Sequence, residues 1–523
     1  MSGKELRTLT VSANRNIFRD LLAEAGKEIN LQDKLFLVEC ALKFAVYNPT
    51  GYFNSSALEY ILYELSKHLP DVSDSPYTEG TFLHVASYVH SNGGHSQVIK
   101  RWVETSPSNQ KHSLVITNSI CGCAETFEKL IRRKEGKLYI LNASDSLNKA
   151  KKLKEIAKNF QFVILHIHMD DPVANLAFGS GFSRPVMFYN HASHLFWTGK
   201  YISDVILDIQ RKDGVSDKVR KINSYFCGIP FVAQSEKYKN NPVSSSNLND
   251  VLDRKYSKLV ISAGSEFKFG QPDFVNFFKI IKWENFPEVL FIVIGIPQEK
   301  LHLKFDLPSN VIGLEKIPLE KGFRQLIKKA DLFLDSYPLP GATTVIDVIN
   351  EGVPVLSLEG LYPQMDYFQK TEGLCKSIDE LNWKLKKNLF NPDEAQKLYK
   401  EQKTYLNDDL SARRFQERVK ELINTSPGIH CGKIPPKIEV ENIGCIELSE
   451  FLLDMNGRSV SIACSKELDM FKVLFINSNK RLLFKNIILS RSNIFRGRRI
   501  KWLFEFLKNI VFIFMERLVK YGG

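Results

Sequence analysis

The residues best suited to chemistry fall in five short segments. The first is Asp335-Ser-Tyr-Pro-Leu-Pro-Gly341-Ala-Thr343-Thr344-Val-Ile-Asp347, with Gly352 and Pro354 beyond it. It reads as a strand end, a loop of proline and glycine, and a helix capped by Thr343 or Thr344. Free amides and the dipole at a helix start attract an anion, and threonine hydroxyls add donors. Asp347, one turn on, offers a carboxylate able to accept two hydroxyls of a ribose. Together these make a pocket for a nucleotide diphosphate; the plainer alternative is an ordinary capped helix.

The second segment is Ser262-Ala-Gly264-Ser-Glu-Phe-Lys268. Gly264 lets backbone approach a ligand closely, and Lys268 supplies a point charge or is merely a solvated loop lysine. The third, His84 through Gly93-Gly94-His95-Ser96, is a strand running into a turn that opens a helix. An imidazole titrates near neutrality, so His95 is able to take a proton from a hydroxyl; otherwise it caps the turn. The fourth is Phe162-Val-Ile-Leu-His166-Ile-His168-Met-Asp170-Asp171. His166 and His168 fall on one side of a strand. With the two aspartates they suggest either a metal site or polar groups facing a cleft, and Asp170 or Asp171 rivals His95 as the base. The fifth, Asn190-His191-Ala-Ser193-His194-Leu-Phe-Trp197, groups donors and acceptors at a strand end beside an indole that could stack on a sugar.

These segments need elements to position them. Residues 1–78 read as a helical preface, with Leu35, Val38, Leu42 and Ala45 on one face of a helix from Leu31 to Tyr47. From 79 to 235, apolar runs such as Ser113-Leu-Val-Ile-Thr alternate with polar helical stretches. A polar linker spans 236–255, and the strand pattern restarts from 256 to 425 in runs such as Val289-Leu-Phe-Ile-Val-Ile. Strand and helix in alternation predict parallel sheets covered on both faces. The fold class is therefore α/β, with two Rossmann-like domains facing across a cleft, and the site belongs between the carboxyl ends of the sheets. Residues 426–523 form a C-terminal extension with no clear pattern until its last helix.

Composition narrows the rest. The 523 residues are 44% apolar and 25% charged, which excludes a disordered chain and a polytopic membrane protein. The net charge is +12, and residues 480–523 carry +9 of it. Basicity confined to a tail, with no recognisable reading module, argues against nucleic acid. The tail from 491 to 520 instead reads as a basic amphipathic helix, lying on an anionic membrane surface or docked on the protein. Eight cysteines, among them a lone Cys121-x-Cys123, predict neither a disulfide scaffold nor a zinc site. No apolar signal core opens the chain, so a cytoplasmic setting is expected, peripheral at the inner face of the plasma membrane if the tail helix lies on lipid.

The segment carrying Gly341, Thr343, Thr344 and Asp347 resembles the donor-binding half of GT-B glycosyltransferases. It is most similar to the group of the nucleocytoplasmic O-linked N-acetylglucosamine transferase and the bacterial adhesin N-glycosyltransferases. That resemblance implies that Thr343 and Thr344 take the donor phosphates and Asp347 the ribose, with Ala342 where the group commonly has histidine. Related enzymes often set a basic residue against the pyrophosphate, the place of Lys268. The Gly93-Gly94 loop resembles the acceptor loop of the lipid-linked peptidoglycan-precursor glycosyltransferase, and His95 the histidine base of many inverting members. The Asn190-His191-Ala-x-His194-x-Phe-Trp string resembles bacterial GT-B proteins. Retaining members usually carry two glutamates eight apart; here those places hold Asp347 and Leu339. Leucine cannot hydrogen-bond a sugar, so inversion is expected. The resemblance implies a hexosyl- or N-acetylhexosaminyl-transferase using a UDP- or GDP-linked donor. The acceptor would be a glycan such as a bacterial surface glycan, a lipid-linked saccharide or a protein. Neither a cofactor nor a metal is expected, because helix amides and basic residues offset the leaving diphosphate. The alternatives are a nucleotide-sugar 2-epimerase on the same fold and a non-catalytic glycan-binding protein.

Overall fold

The structure, a computed structural model, describes residues 3–438 except 92, 144, 210–219, 221, 223, 232–255, 271–276, 318–321, 361–369, 427–429 and 431. The expected linker at 236–255 and the basic helix at 491–520 lie outside the described residues. Among the described residues no helix is long and apolar enough to cross a membrane.

Three helices open the chain, Gly3–Lys27, Leu31–Tyr47 and Ser56–Ser66. Asn30 starts the second by accepting the Gln32 and Asp33 amides, and Ser55 starts the third by accepting that of Leu58. Leu35, Val38, Leu42 and Ala45 are all buried, so the expected face is the packed one. These helices share one core with Val85, Val163, Leu165 and Val186 of the first sheet.

That sheet holds β1 (Thr78–His90), β2 (Lys111–Cys121), β3 (Leu138–Ile140), β4 (Phe160–His166), β5 (Val186–Asn190), β6 (Val205–Asp208) and β7 (Ser224–Phe226). Their order is β3-β2-β1-β4-β5-β6-β7, and every pairing is parallel. The second sheet holds β8 (Lys258–Ala263), β9 (Val289–Ile294), β10 (Val311–Leu314), β11 (Leu332–Leu334), β12 (Val355–Leu358) and β13 (Leu374–Cys375). Its order is β10-β9-β8-β11-β12-β13, again parallel throughout. The continuous apolar runs follow from burial on both faces: all of β9 is buried. The charged stretch from Asn391 to Asn424 forms two helices, Pro392–Asp409 and Ala412–Thr425. Ser411 starts the second by accepting the Arg414 amide.

In each sheet the strand order reverses at one point, between β1 and β4 and between β8 and β11. Chains leaving those strands diverge to opposite sides and open a crevice at the carboxyl ends. The helix Ala412–Thr425 returns to the first domain, with Phe415 edge-on to Trp102 at 5.2 Å and the Gln416 amide donating to Thr105 Oγ1 at 3.0 Å. One apolar core runs through both domains, from Phe82 and Trp102 to Ile261 and Val345. The two crevices therefore face each other across a cleft, the GT-B arrangement.

Candidate active site

The cleft has a volume of about 720 Å³. The first domain lines it with Gly93, Gly94, His95, His168, Asn190, His191 and His194, and the second with Gly264, Lys268, Gly341, Thr343, Thr344 and Asp347. Most of the expected site residues meet there; His166, Asp170, Asp171 and Trp197 do not reach its wall.

The second-domain wall is made mostly by backbone. The helix Thr343–Asn350 begins after Ala342, which has no side-chain oxygen, and no side chain caps it. The expected threonine cap is thus corrected: the alanine at the capping position offers the leading amides no side-chain acceptor, and they open toward the cleft. Buried Asp335 shapes the preceding loop. Its Oδ1 accepts the Ser336 amide at 2.8 Å and the Gly341 amide at 2.7 Å, and its Oδ2 accepts the Ser357 hydroxyl at 3.2 Å. A Cβ at Gly341 would stand 3.0 Å from Asp335 Oδ1, which is why glycine occupies that position. Burial pushes the Asp335 carboxyl up to about 7, against the pull of these hydrogen bonds and of Lys268. Lys268 Nζ donates to the Pro340 carbonyl at 3.0 Å; burial lowers its pKa while Asp335 opposes. By sequence alone Asp335 is a strand end. An aspartate opening a proline- and glycine-containing loop was the signal for its role.

Asp347 is buried and paired to Arg101, with Nη2 2.5 Å from Oδ1. Arg101 lies on the helix Gly94–Thr105 of the other domain, the one the Gly-Gly-His turn opens. Burial raises the Asp347 pKa, while Arg101 and Arg324 lower it. Arg101 was not anticipated, because nothing local marks an arginine that reaches a residue 246 positions away. Leu339 is buried and also lines the cleft.

The first-domain wall is made of side chains. β4 ends at His166, so His168 lies beyond the strand and the expected alternation does not hold. His168 Nδ1 is 2.5 Å from Asp170 Oδ1, and Asp170 Oδ2 accepts the Tyr47 hydroxyl at 3.2 Å. The carboxylate fixes the proton on Nδ1 and leaves Nε2 as an acceptor. Asp171 is committed elsewhere: Oδ2 accepts the Ser87 and Thr117 hydroxyls, and Oδ1 accepts the Val173 amide at 3.0 Å. It anchors a helix start within the first domain, which corrects its expected place as a base. Among the described residues no group of three or more His, Cys, Asp or Glu is arranged to hold a metal ion.

His95 stacks on His191, with ring centroids 4.0 Å apart, and burial lowers its pKa to about 4. Asn190 Nδ2 donates to Asp208 Oδ1 at 2.8 Å. Burial lowers His194 to about 3, with the charges of Lys268 and Arg220 adding to the effect. Trp197 is not offered to a sugar. It is buried, stacked on Phe188 at 4.5 Å and covered by the Arg220 guanidinium at 4.6 Å.

No family model matches this chain, and no curated protein matches it. Similar solved structures include Anabaena HepE in complex with UDP and glucose, at 12% identity over 66% of this chain and 99% of that one, TM-score 0.47. A Thermobaculum terrenum O-GlcNAc transferase mutant is similar at 11% identity over 79% of this chain and 84% of its own, TM-score 0.45. The trehalose-6-phosphate synthase OtsA is similar at 9% identity, covering 66% of this chain and 99% of its own, TM-score 0.48. At such identities and TM-scores these likenesses carry no argument about substrate, and the chemistry rests on the residues of the cleft.

Proposed function

We propose that the protein transfers a sugar from a nucleotide-diphosphate donor to an acceptor hydroxyl, with inversion, and that His168 is the general base. One observation carries this reading. Across a single cleft, an uncapped helix start beside Lys268 faces a histidine whose Nδ1 is held by a carboxylate.

The diphosphate would lie against the Thr343 and Thr344 amides and hydroxyls, with Lys268 as its cation. The oxygen of Asp347 not held by Arg101 would accept a ribose hydroxyl. The acceptor would enter between the Gly93-Gly94 turn and Asn190. His168 Nε2 removes its proton, and Asp170 stabilises the imidazolium that forms. The acceptor oxygen bonds to the anomeric carbon as the carbon–oxygen bond to the diphosphate breaks. The electron pair leaves on the phosphate oxygen, where Lys268 and the helix amides offset it. Leu339 is apolar at one of the two places where retaining members carry a glutamate, which favours inversion. The donor is a UDP- or GDP-linked hexose or N-acetylhexosamine, and the acceptor a glycan, a lipid-linked saccharide or a protein.

A melting-point panel tests the donor half. Ligand at a hundredfold excess over its Kd raises stability by about 2.7 kcal/mol. UDP or GDP is expected to raise the melting point, and Thr343→Val with Thr344→Val to cancel most of the rise. No shift with either nucleotide would overturn the reading. Release of nucleotide diphosphate only when acceptor is present separates transfer from epimerisation, which alters the donor alone.

A further inference from the structure

Four histidines cross the first sheet in a line. His112, His84, His166 and His191 come from β2, β1, β4 and the end of β5, which are neighbours in that order. In the register His112 lies beside Phe82, His84 beside Ile164, and His166 beside Ala86. Each histidine therefore sits two residues nearer the carboxyl end than the one before it, and all share one face. β5 continues the climb: Leu165 pairs with Phe188, so Tyr189 stands level with His166, and His191 lies two residues further on. The rings meet nitrogen to nitrogen. His112 Nδ1 is 3.0 Å from His84 Nε2, His84 Nδ1 is 3.1 Å from His166 Nε2, and His166 Nδ1 is 2.9 Å from His191 Nε2.

The direction of this chain decides what His191 shows to the cleft. A neutral imidazole has one N–H and one lone pair. His84, His112 and His166 are fully buried, and burial drives their pKa values far down, His84 to about 3. Burial does the same to His191. Four neutral rings carry four N–H groups, and the three links use three. The fourth must sit on His112 Nε2 or on His191 Nδ1. His112 Nε2 is buried and has no partner among the described residues, and the Lys134 cation stands close to that ring. A buried donor without an acceptor is the costlier choice, and a nearby cation disfavours it further. His191 is half-buried in the cleft wall, and none of the described residues meets its Nδ1. Stacking on His95 restrains the ring.

We propose that His112, His84 and His166 are positioning residues that hold His191 as its Nδ1–H tautomer, a fixed hydrogen-bond donor to a ligand oxygen in the cleft. His191 and His168 then present opposite faces of the same chemistry, one donating and one accepting. That the oxygen belongs to a nucleotide sugar rests on the proposed function; the tautomer does not.

The test is a long-range proton–nitrogen correlation spectrum of the full chain, labelled with ¹⁵N in histidine alone, at about pH 7. The nitrogen shifts of each ring report its tautomer. His191 is expected to show a single Nδ1–H pattern before any ligand is added. An Nε2–H pattern, a charged ring or a mixture would overturn the proposal. His166→Phe cuts the last link, and His191 is expected to show both tautomers; an unchanged His191 pattern in that variant removes the positioning role. Should the variant not fold, the wild-type spectrum decides alone. UDP, GDP and their hexose conjugates are then titrated. A conjugate that raises the melting point is expected to move the His191 Nδ1–H resonance, and a raised melting point with no movement refutes the ligand contact. If no nucleotide raises the melting point, the donor reading has failed, and the tautomer stands or falls on the first spectrum.

Discussion

The two walls of the cleft reach similar ends by opposite means. The second-domain wall is backbone: helix amides left open by Ala342, and a loop folded onto the buried Asp335 carboxylate. The first-domain wall is side chains, with histidines whose tautomers are set by what stands behind them. A backbone wall depends on loop shape, so residues that bend the loop break it even where they never touch the ligand. A side-chain wall depends on single protons, so one ring replaced can abolish its chemistry while the fold survives. The pair Arg101–Asp347 joins the two walls.

The largest expected effect is on the side-chain wall. His168→Ala should lower the transfer rate by about 10² to 10⁴-fold, the usual worth of general acid–base catalysis. Nucleotide affinity, which belongs to the other wall, should not change. His95→Ala should cost the rate far less, since no carboxylate among the described residues orients His95. Steady-state kinetics with calorimetric nucleotide binding measures both, and an equal rate loss in the two variants would dissolve the distinction. Next is the joint between the walls. Arg101→Ala strands a buried carboxylate, and breaking a buried pair from one side costs about 3–5 kcal/mol. Urea denaturation should show this loss, and Asp347→Asn added to Arg101→Ala should recover much of it.

The sequence marks the backbone wall better than the side-chain wall, for a physical reason. Gly341, Thr343, Thr344 and Asp347 are contiguous, and glycine, proline and threonine announce a loop and a helix start by local chemistry alone. The strands were legible because burial on both faces demands unbroken apolar runs. β6, β7 and β13 were not, being only four, three and two residues long. The side-chain wall needs strand order. His84 and His112 look like isolated polar residues in apolar strands until β2 and β1 are known to be neighbours in a given register. His168 was misplaced for a related reason: the end of β4 falls two residues short of it, and no local signal marks that end. Trp197 looked like a sugar platform, but the partners that bury it, Phe188 and Arg220, come from another strand and another segment.

A third, smaller effect probes Asp335. Its folded-state pKa of about 7 lies above the ordinary aspartate value near 4. The folded protein therefore keeps a proton that the unfolded chain has lost between those two values. The stability this contributes is complete below about pH 4 and is lost as pH rises through about 7. Asp335→Asn keeps an oxygen for the Ser336 and Gly341 amides and has no such dependence. Relative to wild type, the variant should gain stability from pH 4 to pH 7, by a few kcal/mol at most, and level off above. Melting curves of both proteins across that range test it; parallel curves would mean that Asp335 is an ordinary carboxylate.

The smallest effects test whether the backbone wall depends on loop shape at all. Gly341→Ala puts a methyl 3.0 Å from Asp335 Oδ1 and 3.2 Å from Val345 Cγ2, so either the carboxylate or the helix start must shift. Overpacking of this kind costs about 1–3 kcal/mol, and nucleotide binding should weaken with it because the amides move. Gly94→Ala is the control on the opposite wall. Its methyl would lie 3.8 Å from Thr343 Oγ1, an ordinary contact, and a first-turn helix residue gains from alanine. Stability should rise by a few tenths of a kcal/mol. Two glycines on facing walls, each given the same methyl, should therefore move stability in opposite directions. If both variants lost stability alike, the cleft would be narrower than the structure shows, and the contrast between a shaped loop and an open turn would have no basis.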